Sequence, residues 1–349
     1  MNENKVIVAM SGGVDSSVAV KLLLDQGFEV AGITMMVDHY FDASVEQDAK
    51  AVAEKLNIEH HTINLTKEFD EKVIKYFTDE YIKGRTPNPC VMCNPEIKFG
   101  EILKKCDELD AKFLATGHYA LIEEDFDKKI FKLKNIDNKK DQSYFLWKLS
   151  QEQLSRTIFP LAGYAKEQIR EIAKEIGLNV AEKPDSQEIC FVNESSYREF
   201  LYNKIPEEIS KIKKGDFIYE GEVIGKHQGY YNYTVGQRRG LGIAVGKPAY
   251  VTHIDAEKNE VVIGDKSDLL TSVVKASEVN FVSTDKFEKG EKVFGKIRFN
   301  NQAEEAEIID IKNDSITVEF KTPKSGVAPG QSLVLYDKDG FLLAGGVIE

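Results

Sequence analysis

Cysteine is scarce in this 349-residue chain, positive charge is outnumbered by negative, and no long apolar run interrupts it. Four cysteines, Cys90, Cys93, Cys106 and Cys190, are too few for a disulfide framework at this length. The apolar runs are strand-length and broken by charge, so no segment is expected to span a bilayer. The opening Met1-Asn2-Glu3-Asn4-Lys5 lacks the basic start and apolar stretch of a signal peptide, and a cytoplasmic location is expected. With 46 Lys and Arg against 58 Asp and Glu, the formal net charge is −12. That balance excludes a surface that coats nucleic acid indiscriminately, while a local basic patch stays compatible with RNA. Composition alone ranks a small-molecule enzyme ahead of an RNA enzyme.

What is present is a globular mixture, 42% hydrophobic and 30% charged, long enough for two or three domains. Residues 5 to about 120 alternate strands with helices. Val6–Ala9, Val30–Met36, Thr62–Leu65 and Phe113–Thr116 read as strands; Ser17–Gln26, Val45–Leu56, Phe69–Ile82 and Ile97–Leu109 read as helices. This rhythm predicts a parallel sheet with helices on both faces and a ligand beyond the carboxyl ends of its strands. Asp125–Asp141 reads as a surface loop or hairpin, and Gln151–Gly177 as helical. From about Gly215 short β-branched runs separated by turns replace the helical period, which predicts two small β-rich modules. The expected boundaries are 1–204 for the α/β domain, 205–268 for the central module and 269–349 for the last.

The loop Ala9-Met10-Ser11-Gly12-Gly13-Val14-Asp15-Ser16 joins the first strand to the first helix. Its glycines allow a tight turn with backbone N–H groups near a ligand, and the following helix aims its positive end there. A Gly-Gly turn with a Ser or Asp cap is common, but the full Ser-Gly-Gly-x-Asp-Ser string in this context is far more specific. The loop has no lysine, which separates it from the Walker type. Asp15 beside phosphates calls for a bridging Mg²⁺. In these residues the chain resembles the N-type ATP pyrophosphatases, which cleave ATP between its α and β phosphates and place AMP on an oxygen of their substrate.

A second constellation is Arg85-Thr-Pro-Asn-Pro-Cys90-Val-Met-Cys93-Asn-Pro-Glu-Ile-Lys98-Phe99, and a third is Asp185-Ser-Gln-Glu-Ile-Cys190-Phe-Val-Asn-Glu194. A helix from about Glu96 places Cys93 near a helix N-terminus, which predicts a lowered thiol pKa. Cys106 lies on an apolar helix face and reads as an inert packed thiol. His60 and His61, adjacent on a strand, point oppositely and read as surface residues rather than a metal pair. Arg238 and Arg239 fit a phosphate contact or a plain surface turn about equally.

These strings, with Ala115-Thr-Gly-His118-Tyr119, Lys140-Asp-Gln-Ser-Tyr-Phe145, Thr234-Val-Gly-Gln-Arg-Arg-Gly-Leu-Gly242 and Pro329-Gly-Gln331, resemble the tRNA-specific 2-thiouridylases over nearly the whole chain. The resemblance implies a parallel-sheet adenine nucleotide alpha hydrolase-like (PP-loop) domain followed by two β-rich modules, the last a β-barrel. It implies ATP-dependent 2-thiolation of the wobble uridine of tRNA, with ATP bound by Ala9, Met10, Ser11, Gly12, Gly13, Val14, Asp15, Ser16, Met35 and Gly117. Cys190 receives sulfur as a persulfide in that scheme, and Cys93 is the partner thiol, leaving a Cys93–Cys190 disulfide. Asn88, Pro89 and Cys90 line the target-base pocket; His118, Lys140, Asp141, Gln142, Arg298, Phe299 and Gln331 contact tRNA. Sulfur comes from a cysteine desulfurase or a relay protein.

One departure matters. A common form of the family carries an acidic residue where this chain has Cys90. Cys90, Cys93 and Cys190 thus leave open an alternative in which a 4Fe–4S cluster carries the sulfide. Two further classes remain: a small-molecule PP-loop ligase or amidotransferase, which has no use for Cys93 and Cys190, and a redox or metal-binding protein, which has no use for the ATP loop. Cys190 is also expected on a mobile segment, Glu182–Asn193, that orders with tRNA.

Overall fold

The computed structural model describes the chain except for residues 137–138, 179–188, 193–195, 285 and 313. Two compact units partition it. One comprises Met1–Val73, Cys90–Asn193 and Asp339–Leu342; the other comprises Ile74–Pro89, Glu194–Lys338 and Leu343–Glu349.

The first unit is built on β1 (Asn2–Ala9), β2 (Glu29–Met36), β3 (Glu59–Asn64), β4 (Ala111–Thr116), β5 (Leu121–Asp125), β6 (Ile130–Lys134) and β7 (Thr157–Ile158). Five of these form one parallel sheet in the order β3-β2-β1-β4-β7, while β5 and β6 pair as a hairpin. Val6, Ile7 and Val8 of β1 are fully buried, the unbroken apolar run of a strand covered on both faces. Val18, Ala19, Leu22 and Leu23 of the helix Val14–Asp25 and Ile169 and Ala173 of the helix Lys166–Glu175 share one core with β1. The chain runs from β1 outward to β2 and β3, then returns to the other side of β1 for β4. The carboxyl ends of β1 and β4 are therefore the topological switch point, where an open α/β sheet offers a crevice.

One expected element is corrected. Gln151–Gly177 is not continuously helical: a helix Gln151–Ser155 gives way to β7, and a second helix covers Lys166–Glu175. The β-branched pair Thr157-Ile158 adds to the sheet edge beside Leu114 and Ala115, and Pro160 just beyond lacks the N–H a helix needs. The segment 125–141 resolves into the turn and second strand of the β5–β6 hairpin; Asp137 and Asn138 lie outside the described residues.

In the second unit, Phe77 and Tyr81 of the helix Lys75–Ile82 meet Phe200 and Tyr197 of the helix Tyr197–Lys204, with ring centroids 5.8 and 4.8 Å apart. Next come β8 (Gly215–Tyr219), β9 (Glu222–His227), β10 (Tyr250–Asp255) and β11 (Glu260–Gly264), a four-stranded sheet ordered β10-β11-β8-β9 over Phe217, Val251, Val261 and Ile263. The strands β12 (Leu270–Phe281), β13 (Lys292–Lys296), β14 (Glu304–Lys312), β15 (Ser315–Ser325), β16 (Ser332–Tyr336) and β17 (Leu342–Ile348) close into a barrel. Its interior holds Val274, Ile308, Val318, Phe320, Leu333 and Leu335. Closure pairs the edge strands β12 and β17 with each other. Among the described residues no helix is long and apolar enough to cross a membrane.

Gly215 opens β8 where a Cβ would stand 2.0 Å from the Asn259 carbonyl oxygen, a backbone atom that cannot step aside. Gly215→Ala is expected to lower the unfolding free energy by about 1–3 kcal/mol, read from the denaturant midpoint; an unchanged midpoint contradicts this packing.

Candidate active site

At the carboxyl end of β1 the loop is held by its own hydroxyls. Ser16 Oγ accepts from the Ser11 N–H (3.2 Å) and donates to the Gly13 carbonyl (3.2 Å), to which Ser17 Oγ also donates (2.8 Å). Gly12 has φ +67°, and a Cβ there would stand 2.9 Å from the Val45 carbonyl oxygen, so only glycine fits. Met10 and Val14 turn their side chains into the core, whereas Ser11 is exposed and Gly13 half-exposed. Only the backbone of Met10 and Val14 is thus free to serve a ligand. Ala9 pairs with Ile33 on one side and Thr116 on the other. From β4, Gly117 comes so close that a Cβ would lie 2.9 Å from the Ser16 nitrogen and 3.0 Å from Asp15 Cβ. Met35 sits half-buried near the carboxyl end of β2.

Asp15 is tied down by residues that sequence reasoning missed. Lys166 Nζ lies 2.8 Å from both carboxylate oxygens, and the Tyr119 hydroxyl donates to Oδ1 at 2.7 Å. The Lys166 side chain is one-tenth exposed. This lysine comes from 151 residues downstream of Asp15, a separation that no local motif reveals.

The thiols lie in the same unit. Cys93 and Cys106 are buried, Cys90 and Cys190 exposed in part, and all four are free. Desolvation pushes Cys93 up to about 12 and Cys190 up to about 11, and also raises Cys90, whose sulfur is enclosed although the residue shows surface. The thiols also act on one another: Cys90 and Cys190 raise Cys93, and Cys90 raises Cys190, while the Lys98 ammonium lowers all three. The lowered pKa expected for Cys93 is therefore overturned. The helix begins at Pro89, not Glu96, so Cys93 sits within helical winding rather than at a free N-terminus, and burial dominates. Cys106 is fully buried in the helix Ile102–Glu108, as expected of a packed thiol. Cys190 is placed by its neighbour: Phe191 enters an aromatic cluster, 5.7 Å from Phe69 and 6.1 Å from Tyr40. Of the segment expected to be mobile, 182–188 and 193 lie outside the described residues.

Among the described residues no group of three or more His, Cys, Asp or Glu side chains is disposed to hold a metal ion. Cys90, Cys93 and Cys190 are close enough for their charges to act on one another. His60 donates to or accepts from Thr34 Oγ1 at 2.8 Å, and His61 lies 3.3 Å from Glu59.

The residues expected to touch tRNA fall into distinct settings. His118 shares a 2.7 Å hydrogen bond with Thr116 Oγ1 and packs against Phe99 (5.9 Å); burial, with Lys98 adding, holds it neutral, well below the usual histidine range. Asp141 is buried and accepts from the Ser143 hydroxyl (2.9 Å) and the Ile136 N–H (3.2 Å). Gln142 Oε1 accepts from the Tyr119 N–H at 3.1 Å, and Lys140 is half-buried. In the second unit, Gln331 Nε2 donates to the Thr86 carbonyl (2.8 Å), beside a bond from the Thr86 N–H to the Pro329 carbonyl (2.8 Å). These bonds hold the backbone leading into Asn88 and Pro89. Arg298 donates to the Gly326 carbonyl, and Phe299 lies under the Lys296 ammonium at 5.5 Å. Arg238 and Arg239 are exposed.

Phe99 and His118 join the two constellations: Gly117 abuts the phosphate loop, His118 follows it, and Lys98 acts on His118 and on the thiols alike. With this geometry in place, a family profile described as "tRNA methyl transferase HUP domain" matches residues 4–194. Profiles for a "tRNA methyl transferase PRC-barrel domain" and an "Aminomethyltransferase beta-barrel domain" match 198–265 and 271–348. A protein of Caldanaerobacter subterraneus subsp. tengcongensis named tRNA-specific 2-thiouridylase MnmA 1 is 47% identical over 99% of this chain and 98% of its own length. The chain belongs to the tRNA-specific 2-thiouridylase family. A second member, MnmA of Acetivibrio thermocellus, is 46% identical over the full length of both chains. Among solved structures, a 4-thiouridine synthetase in complex with RNA and ATP aligns over 58% of this chain and 51% of its own, with 24% identity and a TM-score of 0.38. That likeness is too slight to weigh on function. For this family member the architecture is a parallel-sheet HUP domain, a PRC-barrel module and a closed six-stranded barrel.

Raised thiol pKa values mean that less thiolate is present at a given pH than for a free cysteine. Alkylation by iodoacetamide, followed by mass spectrometry at each site, is expected to be slow at pH 8 for Cys93 and Cys190 and to climb beyond pH 10. A plateau below pH 9 at either residue contradicts the burial described.

Proposed function

We propose that this chain catalyses ATP-dependent 2-thiolation of the wobble uridine of tRNA. One observation carries the reading: a pyrophosphate loop at the switch point and a cluster of three free thiols lie within one compact unit, linked through Gly117, His118 and Phe99. An adenylating ligase has no need of the thiols, and a thiol redox protein has no need of the loop.

In this reading the backbone of Met10–Val14 and the hydroxyls of Ser11 and Ser16 receive the pyrophosphate part of ATP, with Ala9, Met35 and Gly117 around the nucleotide. Lys166 supplies the positive charge that the loop itself lacks. Mg²⁺ arriving with the nucleotide screens phosphate charge beside Asp15. Adenylation of uridine O2 turns a poor leaving group into AMP. The terminal sulfur of a Cys190 persulfide, its anion, attacks C2 and expels AMP, leaving tRNA joined to Cys190 through a disulfide. The Cys93 thiolate then attacks Cys190 Sγ. The sulfur–sulfur bond to tRNA breaks, the electron pair stays on the thiouridine, and a Cys93–Cys190 disulfide remains for reduction by an external thiol. The persulfide sulfur comes from a cysteine desulfurase or a relay protein.

Asn88, Pro89 and Cys90 are proposed to meet the flipped target base, and His118, Lys140, Asp141, Gln142, Arg298, Phe299 and Gln331 to meet tRNA. The proposed domain limits are 1–204, 205–268 and 269–349, and the proposed place of action is the cytoplasm.

The test is mass spectrometry of tRNA after incubation with ATP, Mg²⁺ and a persulfide donor. The wild-type chain is expected to form 2-thiouridine. Cys93→Ala and Cys190→Ala are expected to abolish it while pyrophosphate release from ATP, the product of the adenylation step, persists. In contrast, Gly117→Ala and Lys166→Met are expected to lower pyrophosphate release at least about tenfold, a loss of about 1.4 kcal/mol of transition-state stabilisation. Full 2-thiouridine formation by either alanine variant removes the thiol assignment.

A further inference from the structure

The helical segment after Cys93 is wound as a π-helix over Asn94–Glu101, and the Ile102 N–H reaches back five residues to the Ile97 carbonyl. Such winding is costly and rare, and it recurs at functional positions. Here it is built in by two contacts. Gly100 lets the Pro95 carbonyl approach to where a Cβ would stand only 2.7 Å from its oxygen. Gln153 clamps the widened turn, donating through Nε2 to the carbonyls of both Pro95 (2.8 Å) and Phe99 (2.9 Å).

The winding decides where Lys98 points. Five residues along an α-helix rotate by about 500°, so Lys98 would lie about 140° away from Cys93. In the wider π turn the fifth residue returns nearly above its starting point, which brings Lys98 to the face of Cys93. The charges around it are allotted differently. Glu96 pairs with Lys72 (3.2 Å), and Glu101 pairs with Lys72 (2.8 Å) and Lys104 (3.0 Å). Lys98 makes no hydrogen bond or ion pair among the described residues. The titratable groups that feel its charge are Cys90, Cys93, Cys190 and the neutral His118.

We infer that Lys98, turned onto the thiol cluster by the π-helical turn, is the counter-charge that stabilises anionic sulfur at Cys93 and Cys190. The assignment rests on the thiol-relay reading above and deepens it: the cation offsets the desolvation that keeps these thiols protonated, at the step where each must carry negative charge. Its role is positioning and electrostatic; the thiol proton leaves to solvent.

The experiment follows alkylation at each cysteine against pH in the full chain, without tRNA or ATP. Iodoacetamide reads thiolate directly, because the sulfur anion displaces iodide. Removing the cation raises the thiol pKa, so Lys98→Met is expected to slow alkylation of Cys93 and Cys190 at pH 9 by about 3–10-fold, a shift of about half to one pH unit. Cys106 serves as the internal control and is expected to keep its rate. Lys98→Arg is expected to restore the profile. Gly100→Ala, which keeps the lysine but opposes the π turn that aims it, is expected to reproduce the Lys98→Met profile. Profiles of Lys98→Met that superpose on the wild type, or a slowing shared equally by Cys106, overturn the assignment. Absence of 2-thiouridine from the wild-type assay overturns the proposed reaction instead, and the two results are read independently.

Discussion

The pairing of Asp15 with Lys166 and Tyr119 is the constraint on which the first unit's binding end depends. Three segments converge there: the start of the helix after β1, the loop after β4, and the start of the helix Lys166–Glu175. A carboxylate alone at a phosphate loop would repel its ligand, and a buried ammonium alone would be poorly solvated. Together they form a locally neutral unit that each stabilises for the other. The same contact explains why Gly117 must have no side chain. The β4 loop has to press against Ser16 and Asp15 for Tyr119 to reach the carboxylate.

The thiols follow the opposite rule, with burial prevailing over activation. A helix N-terminus contributes about 0.3–1 kcal/mol, under one pH unit, whereas desolvation shifts a buried group by up to about 3–5 units. Cys93, buried and within helical winding, takes the second effect in full. Protonated thiols are poor nucleophiles and slow to oxidise, so the resting cluster is protected from adventitious chemistry. In the proposed relay, sulfur chemistry then has to be switched on locally, by a fixed charge and by the arrival of an electrophile.

The sequence discloses what is local. The phosphate loop was legible because its glycines, serines and aspartate are adjacent and flanked by a strand and a helix. Two β-rich modules were legible as texture, from short β-branched runs and turns after Gly215; closure of the last into a barrel was implied only by the family resemblance. Lys166 and Tyr119 were not, because they reach Asp15 from 151 and 104 residues away. The break in the expected helix from Gln151 turned on the edge pairing of Thr157 and Ile158 with β4, a tertiary contact that overrides periodicity. Gly100 and Gln153 carried no signal of a π turn, since neither residue type is specific to one. The intramolecular partners of Asp141 (the Ser143 hydroxyl and the Ile136 N–H) and of Gln331 (the Thr86 carbonyl) had no signal in the motifs that carry them.

The bond from Gln331 to Thr86, with the neighbouring Thr86–Pro329 contact and the Arg85 guanidinium on the Ile348 carbonyl (3.1 Å), has a consequence for synthesis. The ribosome makes Thr86–Cys90 early and Pro329–Ile348 at the very end. The backbone of Arg85 and Thr86 therefore waits through most of synthesis for the groups that hold it. Translation that stops short of β17 still supplies Pro329 and Gln331 to Thr86 but leaves the Arg85 guanidinium without the Ile348 carbonyl.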